Sequence, residues 1–341
     1  MEKGSAGSAG LVTSTENVFP PVLITMARVA IVGATGNVGS FAAHPISEIP
    51  YVDEILLVGR PGRESLLEGL RRDFNDSYAA RGTNCRLSWS TDLADVAGAE
   101  VVVHTAGAAR NDRQDRMDLG VANARIVAGA AEQIGEHAPK AKLFMVTNPV
   151  DVMTSVALRC SGMRPNQVFG LGTHLDSMRL KSLIAQAFQV HVSEVHTRII
   201  GEHGPSMVPL WSATTVGGIR INRLPSFADL PVERMVENVR ASGQTIIRYK
   251  GSTVYGPGEA IATLVRTVLG DENRILTVSA YIRSEVHDIG DLCIGVPARI
   301  NRQGVTPIPI RLDPEEVAAF RVSVEKIRAH TALVFEQLAW E

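Results

Sequence analysis

Residues Arg28–Gly39 read RVAIVGATGNVG. Val29 to Gly33 is short, apolar and rich in β-branched side chains, the composition of a strand buried in a parallel sheet. Glycines follow at Gly33, Gly36 and Gly39, and Ser40 to Ile46 can continue as helix. Strand, glycine turn and helix N-terminus in that order make an anion site. Glycine lets the backbone approach a pyrophosphate, and the first helical N–H groups have no intrahelical acceptor and point at it. Gly33, Thr35, Gly36, Asn37, Val38 and Gly39 are therefore the first candidate cofactor-binding residues. The spacing is Gly-x-x-Gly-x-x-Gly, looser than Gly-x-Gly-x-x-Gly, so a glycine-rich turn with no ligand stays open at this point.

Outward from the turn, Val52–Val58 (VDEILLV) reads as the second strand, ending at Gly59-Arg60. About twenty residues past such a turn, a carboxylate ordinarily holds the adenosine ribose of NAD. This tip instead carries Gly59, Arg60, Gly62, Arg63 and Ser65. A carboxylate would repel a ribose 2′-phosphate, whereas guanidiniums beside small residues bind one, so the tip favours NADP over NAD. The alternative is a solvated basic turn.

Leu66–Ala80 reads as helix, Cys85–Trp89 and Ala99–Thr105 as strands, Leu119–Ile134 as helix and Lys142–Thr147 as strand. This alternation predicts an α/β fold, a Rossmann-type doubly wound parallel sheet. Ligands of such sheets bind beyond the carboxyl ends of the strands, so Gly33, Gly59, Gly107 and Asn148 should line one crevice. After Asp176 the pattern changes to helices (Ser177–Phe188, Val232–Lys250, Pro314–Trp340) with strands at Glu194–Ile200, Leu292–Ile300 and Thr306–Leu312. It reads as an α+β catalytic domain that closes over the crevice. The expected division is a disordered tail or start-site extension over 1–25, a dinucleotide-binding domain over 26–172 and a substrate domain over 173–341.

Composition narrows the function classes. The chain has 341 residues, 45% hydrophobic and 21% charged, with a formal net charge of −2. That is ordinary for a globular protein with room for two cores, and it gives no electrostatic case for nucleic acid or an anionic membrane. No apolar run reaches spanning length, and the N-terminal stretch lacks the layout of a signal peptide. Cys85, Cys160 and Cys293 are widely spaced, fit no metal-ligand pattern and read as reduced thiols of a cytoplasmic protein. No metal is expected.

The chemistry-bearing stretches lie further on. Ile199–Pro209 is IIGEHGPSMVP, which sets His203 between small residues where a substrate could approach. Leu171–Arg179 (LGTHLDSMR) places Asp176 and Arg179 three apart at a helix start, on one side of it. A carboxylate there can orient an imidazole and favour its cation, while a guanidinium can grip a substrate carboxylate. A solvated local ion pair is the plainer alternative. The loop Ala108–Arg116 carries Arg110, Arg113 and Arg116 among acids; it follows a strand end, which suits a lid over an anionic substrate.

The set GATGNVG, TAGAARNDRQDRMDL, VTNPVDV, GLGTHLDSMR, IIGEHG and KGSTVYGP, in this order, resembles the lactate/malate dehydrogenase family, closest to its archaeal-type malate dehydrogenases. The resemblance covers Met26 to about Trp340. It implies that His203 is the proton donor and acceptor and Asp176 its orienting carboxylate. It also implies that Arg116 is the lid arginine polarising the carbonyl, Arg179 the C1-carboxylate ligand and Arg110 the residue favouring malate over lactate. Asn148 matches the residue that bonds the substrate oxygen and the nicotinamide ribose, and Thr253 a pocket position. Gly107 belongs with the cofactor-binding residues. A homodimer or homotetramer is implied as well.

Three departures stand out. Asn111-Asp112-Arg113 replaces the family's Lys-Pro-Gly in the lid, Pro205 replaces an acid after His203-Gly204, and Gly59-Arg60 departs from the NAD pattern. A short-chain dehydrogenase, which also suits the first turn, needs Tyr-x-x-x-Lys, and none of the five tyrosines has a lysine four residues on. A dehydrogenase of another 2-hydroxy acid and a non-catalytic NADP-binding protein remain the alternatives to a malate dehydrogenase.

Overall fold

The computed structural model describes residues 27–108 and 116–339, with the side chains of 116–119 left aside. The N-terminal tail and the 109–115 segment lie outside the described residues. The first half alternates strand and helix: β1 Ala27–Val32, α1 Asn37–Ser47, β2 Val52–Val58, α2 Glu64–Arg81, β3 Arg86–Ser90, β4 Val101–His104, α3 Arg116–His137, β5 Lys142–Met145, α4 Val150–Ser161 and β6 Val168–Gly170. These strands pair in parallel in the order β6-β5-β4-β1-β2-β3. The order reverses between β1 and β4, and crevices open at such a point.

The continuous apolar runs of the central strands are explained by burial on both faces. Val29, Ile31, Ile55, Leu57, Val101 and Val103 face one core, and Ala30, Val32, Leu56, Val58, Val102 and Met145 face the other. Alternation along a strand divides one sequence between two cores.

The second half begins with α5 His174–Phe188 and short strands: β7 Val195–His196, β8 Ile199–Ile200, β9 Val208–Pro209, β10 Thr215–Val216 and β11 Ile219–Arg220. It continues through α6 Val232–Lys250, α7 Tyr255–Leu269, β12 Arg274–Ile282, β13 Leu292–Asn301, β14 Gly304–Pro307 and α8 Pro314–Gln337. The strand expected over Glu194–Ile200 is broken into β7 and β8, which pair with different partners. The last strand sits earlier than Thr306–Leu312. The long strands β12 and β13 extend the first sheet, β12 pairing antiparallel with β6.

Helix α7 and strand β12 carry no assignment in the sequence reading. Gly258, in the Tyr-Gly-Pro-Gly opening of α7, is a close contact, since a Cβ there would lie 2.3 Å from the Phe41 ring of α1. Among the described residues no helix is long and apolar enough to cross a membrane.

Candidate active site

The cofactor side is built from backbone. Gly33 has φ +84, and a Cβ on it would lie 2.5 Å from the Ala106 nitrogen, so only glycine lets the ends of β1 and β4 meet. Thr105 Oγ1 donates to the Val32 and Gly33 carbonyls and locks that approach. Gly36 is the N-cap of α1 and no side chain caps the helix, which leaves its first N–H groups facing the turn. Thr35, Gly36, Asn37, Val38 and Gly39 therefore stand where the sequence places a pyrophosphate, and the uncapped helix end suits a doubly anionic group.

Gly59 ends β2 against Leu67 and Thr35. Arg60, Arg63 and Ser65 are exposed around the N-terminus of α2, which starts at Glu64. Glu64 turns its carboxylate to the Gly62 N–H at 2.9 Å. No acid stands at the tip of β2 itself.

Gly107 and Asn148 follow β4 and β5 and are both exposed. Two buried residues that the sequence reading passed over join their loops. Asn123 of α3 accepts from the Ala108 N–H at 2.7 Å and donates to the Asn148 carbonyl at 2.7 Å. Thr147 Oγ1 donates to the Ala106 carbonyl at 2.7 Å and lies 3.1 Å from His104 Nδ1. The Asn148-Pro149 peptide is cis.

The acid/base side is built from side chains. Asp176 occupies the first turn of α5, where the helix dipole favours a carboxylate. Thr173 Oγ1 donates to the Ile199 carbonyl, and the Ile199 N–H donates to Ser177 Oγ at 2.9 Å, so the start of α5 grips β8. The chain then turns at Gly201, whose N–H and carbonyl pair with Gly295 of β13. This delivers His203 to Asp176, with Nδ1 2.5 Å from Oδ2.

Asp176 Oδ1 accepts from Arg179 at 3.2 Å. Asp176 is only 1% exposed, so the pair is not a solvated one, while a quarter of the His203 side chain remains open. Arg179 uses one of five donors on Asp176. The Asp176 charge raises the His203 pKa against the opposing effect of burial, with Asp151 adding to the rise.

Asp151 is a third missed residue. It is buried and accepts from the His203 backbone N–H at 3.0 Å through Oδ2. Burial pushes its pKa up to about 6, against the lowering effects of Ser279 and the His203 N–H. The sequence signal was present, since Asp151 lies in the quoted VTNPVDV, but a helix-start acid looks like a dipole partner until the fold brings His203 to it.

Thr253 lies half-buried in the link between α6 and α7. The start of α7 packs near Leu175, beside Asp176, and on Phe41 of α1. Arg110 and the altered Asn111-Asp112-Arg113 lid fall outside the described residues, as does the side chain of Arg116. Among the described residues no cluster of three or more His, Cys, Asp or Glu could hold a metal ion.

A dinucleotide-type sheet with a half-buried histidine on a buried aspartate beyond its carboxyl edge defines a Rossmann-type oxidoreductase. The lactate/malate dehydrogenase NAD-binding domain matches residues 27–170, and the alpha/beta C-terminal domain of the same family matches 173–338. The chain belongs to the lactate/malate dehydrogenase family. It is 45% identical over 306 residues to an L-2-hydroxycarboxylate dehydrogenase (NAD(P)(+)) of Methanocaldococcus jannaschii, covering 89% of this chain and 97% of that one. It is 44% identical over 320 residues to a malate dehydrogenase of Methanothermobacter thermautotrophicus, covering 91% and 98%. Among solved structures, malate dehydrogenase from Salinibacter ruber superposes with a TM-score of 0.83 at 33% identity, covering 91% of this chain and 98% of that one. The apo malate dehydrogenase from Picrophilus torridus gives 0.84 at 29%, covering 92% and 98%.

Proposed function

We propose that the chain is a malate dehydrogenase that interconverts (S)-malate and oxaloacetate and prefers NADP to NAD. The observation that carries the reading is the His203–Asp176 contact at 2.5 Å, with Arg179 on the second oxygen of the same buried carboxylate. Asp176 holds Nδ1 of the ring and stabilises the imidazolium, which leaves Nε2 to take or return the substrate hydroxyl proton. Arg179 grips the C1 carboxylate with its remaining donors. A bound nicotinamide would supply the acceptor, or in reverse the donor, of the hydride exchanged with C2 of the substrate.

The remaining roles rest on sequence resemblance. Arg116 stabilises charge developing on the carbonyl oxygen, Arg110 selects a second carboxylate, and Asn148 and Thr253 complete the pocket. NADP preference rests on the tip of β2, where Arg60 and Arg63 are exposed beside the α2 N-terminus and the neighbouring Glu64 carboxylate is turned to the Gly62 N–H. The family supports a homodimer or homotetramer.

Initial rates with oxaloacetate or pyruvate, each with NADPH or NADH, test this reading. Turnover confined to oxaloacetate and faster with NADPH is the expected result. Equal rates with both acids would favour the broader 2-hydroxycarboxylate activity for which the Methanocaldococcus relative is named. Arg110→Gln should then move the oxaloacetate-to-pyruvate ratio towards pyruvate.

A further inference from the structure

Asp176 fixes the His203 ring, but the turn that carries the ring is fixed from the other end of the chain. Ser323 of α8 is fully buried and accepts from the Glu202 backbone N–H at 2.5 Å. One turn further along α8, Lys326 Nζ reaches Glu202 Oε2 at 2.9 Å. The same oxygen accepts from the Ser206 N–H at 3.1 Å and from Ser206 Oγ at 2.5 Å. The Glu202 side chain thus closes the segment His203-Gly204-Pro205 into a ring. Pro205 has no N–H to offer and a fixed φ, so the carboxylate takes its backbone donor from Ser206.

We propose that Lys326 is a positioning residue, which pins the Gly201–Ser206 turn through Glu202 so that His203 meets Asp176 in a single pose. The inference rests on His203 being the acid/base, as proposed above. The Glu202 side chain is only 13% exposed, and a carboxylate so enclosed needs its cation. Burial pushes the Glu202 carboxyl up, but the Ser206 and Lys326 bonds outweigh it and hold the group below its ordinary range.

Without Lys326, Glu202 either turns towards water and takes the backbone of the turn with it, or stays on the Ser206 donors as a charge without its cation next to the reacting group. The charges that face His203 are Asp176 and Arg179 on α5 and Asp151 on α4. Glu202 acts on Asp151 in turn, by opposing its ionisation. Either displacement reaches the imidazole by fewer than two residues of chain. An ångström of misplacement at a reacting group costs up to about a hundredfold in rate.

The test compares Lys326→Met, Lys326→Arg and Glu202→Gln with the parent protein by two readouts. In turnover, Lys326→Met should lower kcat about tenfold and leave the KM for reduced cofactor within about twofold. The isotope effect from cofactor deuterated at the transferred position should rise, because hydride transfer becomes limiting. Lys326→Arg should recover most of the rate, and Glu202→Gln should fall between.

The second readout needs no substrate. The low-field Nδ1–H proton of His203, identified by its loss in His203→Gln, should shift or broaden in Lys326→Met and return in Lys326→Arg. An unmoved proton signal overturns the proposal, and so does a rate loss that only tracks folded protein with the isotope effect unchanged. A parent protein that turns over no 2-hydroxy acid would sink the functional reading instead, while the proton signal still decides whether Lys326 sets the histidine.

Discussion

The two walls of the proposed site are built by opposite means. On the cofactor side the groups are backbone N–H donors at the starts of α1 and α2, reached by glycine turns, with exposed arginines around them. On the acid/base side one histidine is held by side chains 27 positions away at its ring, 52 at its backbone N–H and, through its neighbouring residue, 121. Away from its close-packed glycines, a wall of backbone donors tolerates side-chain change, because the helix keeps its N–H groups whatever follows them. A wall of buried side chains fails one residue at a time.

The largest expected effect is therefore on the acid/base wall. His203→Ala should lower kcat at least about a thousandfold while NADP binding, followed by fluorescence titration, stays within about twofold. Asp176→Asn should come next, at about a hundredfold, because the amide cannot stabilise the imidazolium and leaves Arg179 without its carboxylate. If Asp176→Asn cost less than a change on the cofactor wall, the contrast between the walls would be wrong.

Asp151→Asn sharpens the same point. It keeps an acceptor for the His203 N–H but removes a charge that helps raise the His203 pKa. In the direction of hydroxy-acid oxidation His203 must be neutral to take the proton. A lower His203 pKa therefore moves the acidic limb of kcat/KM to lower pH, with a loss of about tenfold at the plateau. A limb that stays in place or moves to higher pH would count against Asp151 acting on the ring.

Legibility from sequence follows the same division. The strand, turn and helix of Arg28–Gly39 and the basic tip after β2 are local, so composition and spacing found them. Asp176 and Arg179 were also local, the glycine flanks marked His203, and the family pattern added its role. Asn123 and Asp151 were missed because each looks like an ordinary helix residue until tertiary structure brings Asn148 or His203 against it. The continuous nine-stranded sheet was missed for a related reason. Strand β12 joins β6 antiparallel across a gap of more than a hundred residues, and nothing in either segment names the other.

On the cofactor wall, Arg60→Asp should raise the KM for NADPH about tenfold and leave NADH nearly unchanged, since a carboxylate repels a 2′-phosphate but accepts ribose hydroxyls. Equal loss with both cofactors would remove the 2′-phosphate contact from the account. The effect is smaller than on the opposite wall because Arg63 and the α2 N-terminus remain.

The smallest effect on turnover compares two histidines. His203 has a buried carboxylate beside it and its pKa is raised; His104, at the end of β4, is buried against the Thr147 hydroxyl, and burial pushes its pKa down to about 4. His174 is pushed to about 4 by the same cause. An unfolded histidine titrates near 6.5, so below that pH the unfolded chain binds protons that the folded one refuses. Folding stability is thus fully present above about 6.5 and declines towards 4, by up to roughly 3 kcal/mol for each histidine. Asp151 acts in the opposite sense. Its folded pKa of about 6 exceeds the ordinary 3.8, so between those values the folded chain gains the proton first and recovers part of the loss. His104→Asn keeps a donor for Thr147 and removes the titration. Urea midpoints at pH 7 and pH 5 should therefore differ less in His104→Asn than in the parent, while turnover at pH 7 stays within about twofold. An unchanged difference between the midpoints would mean that His104 accepts a proton in the folded state, and that burial alone does not separate it from His203.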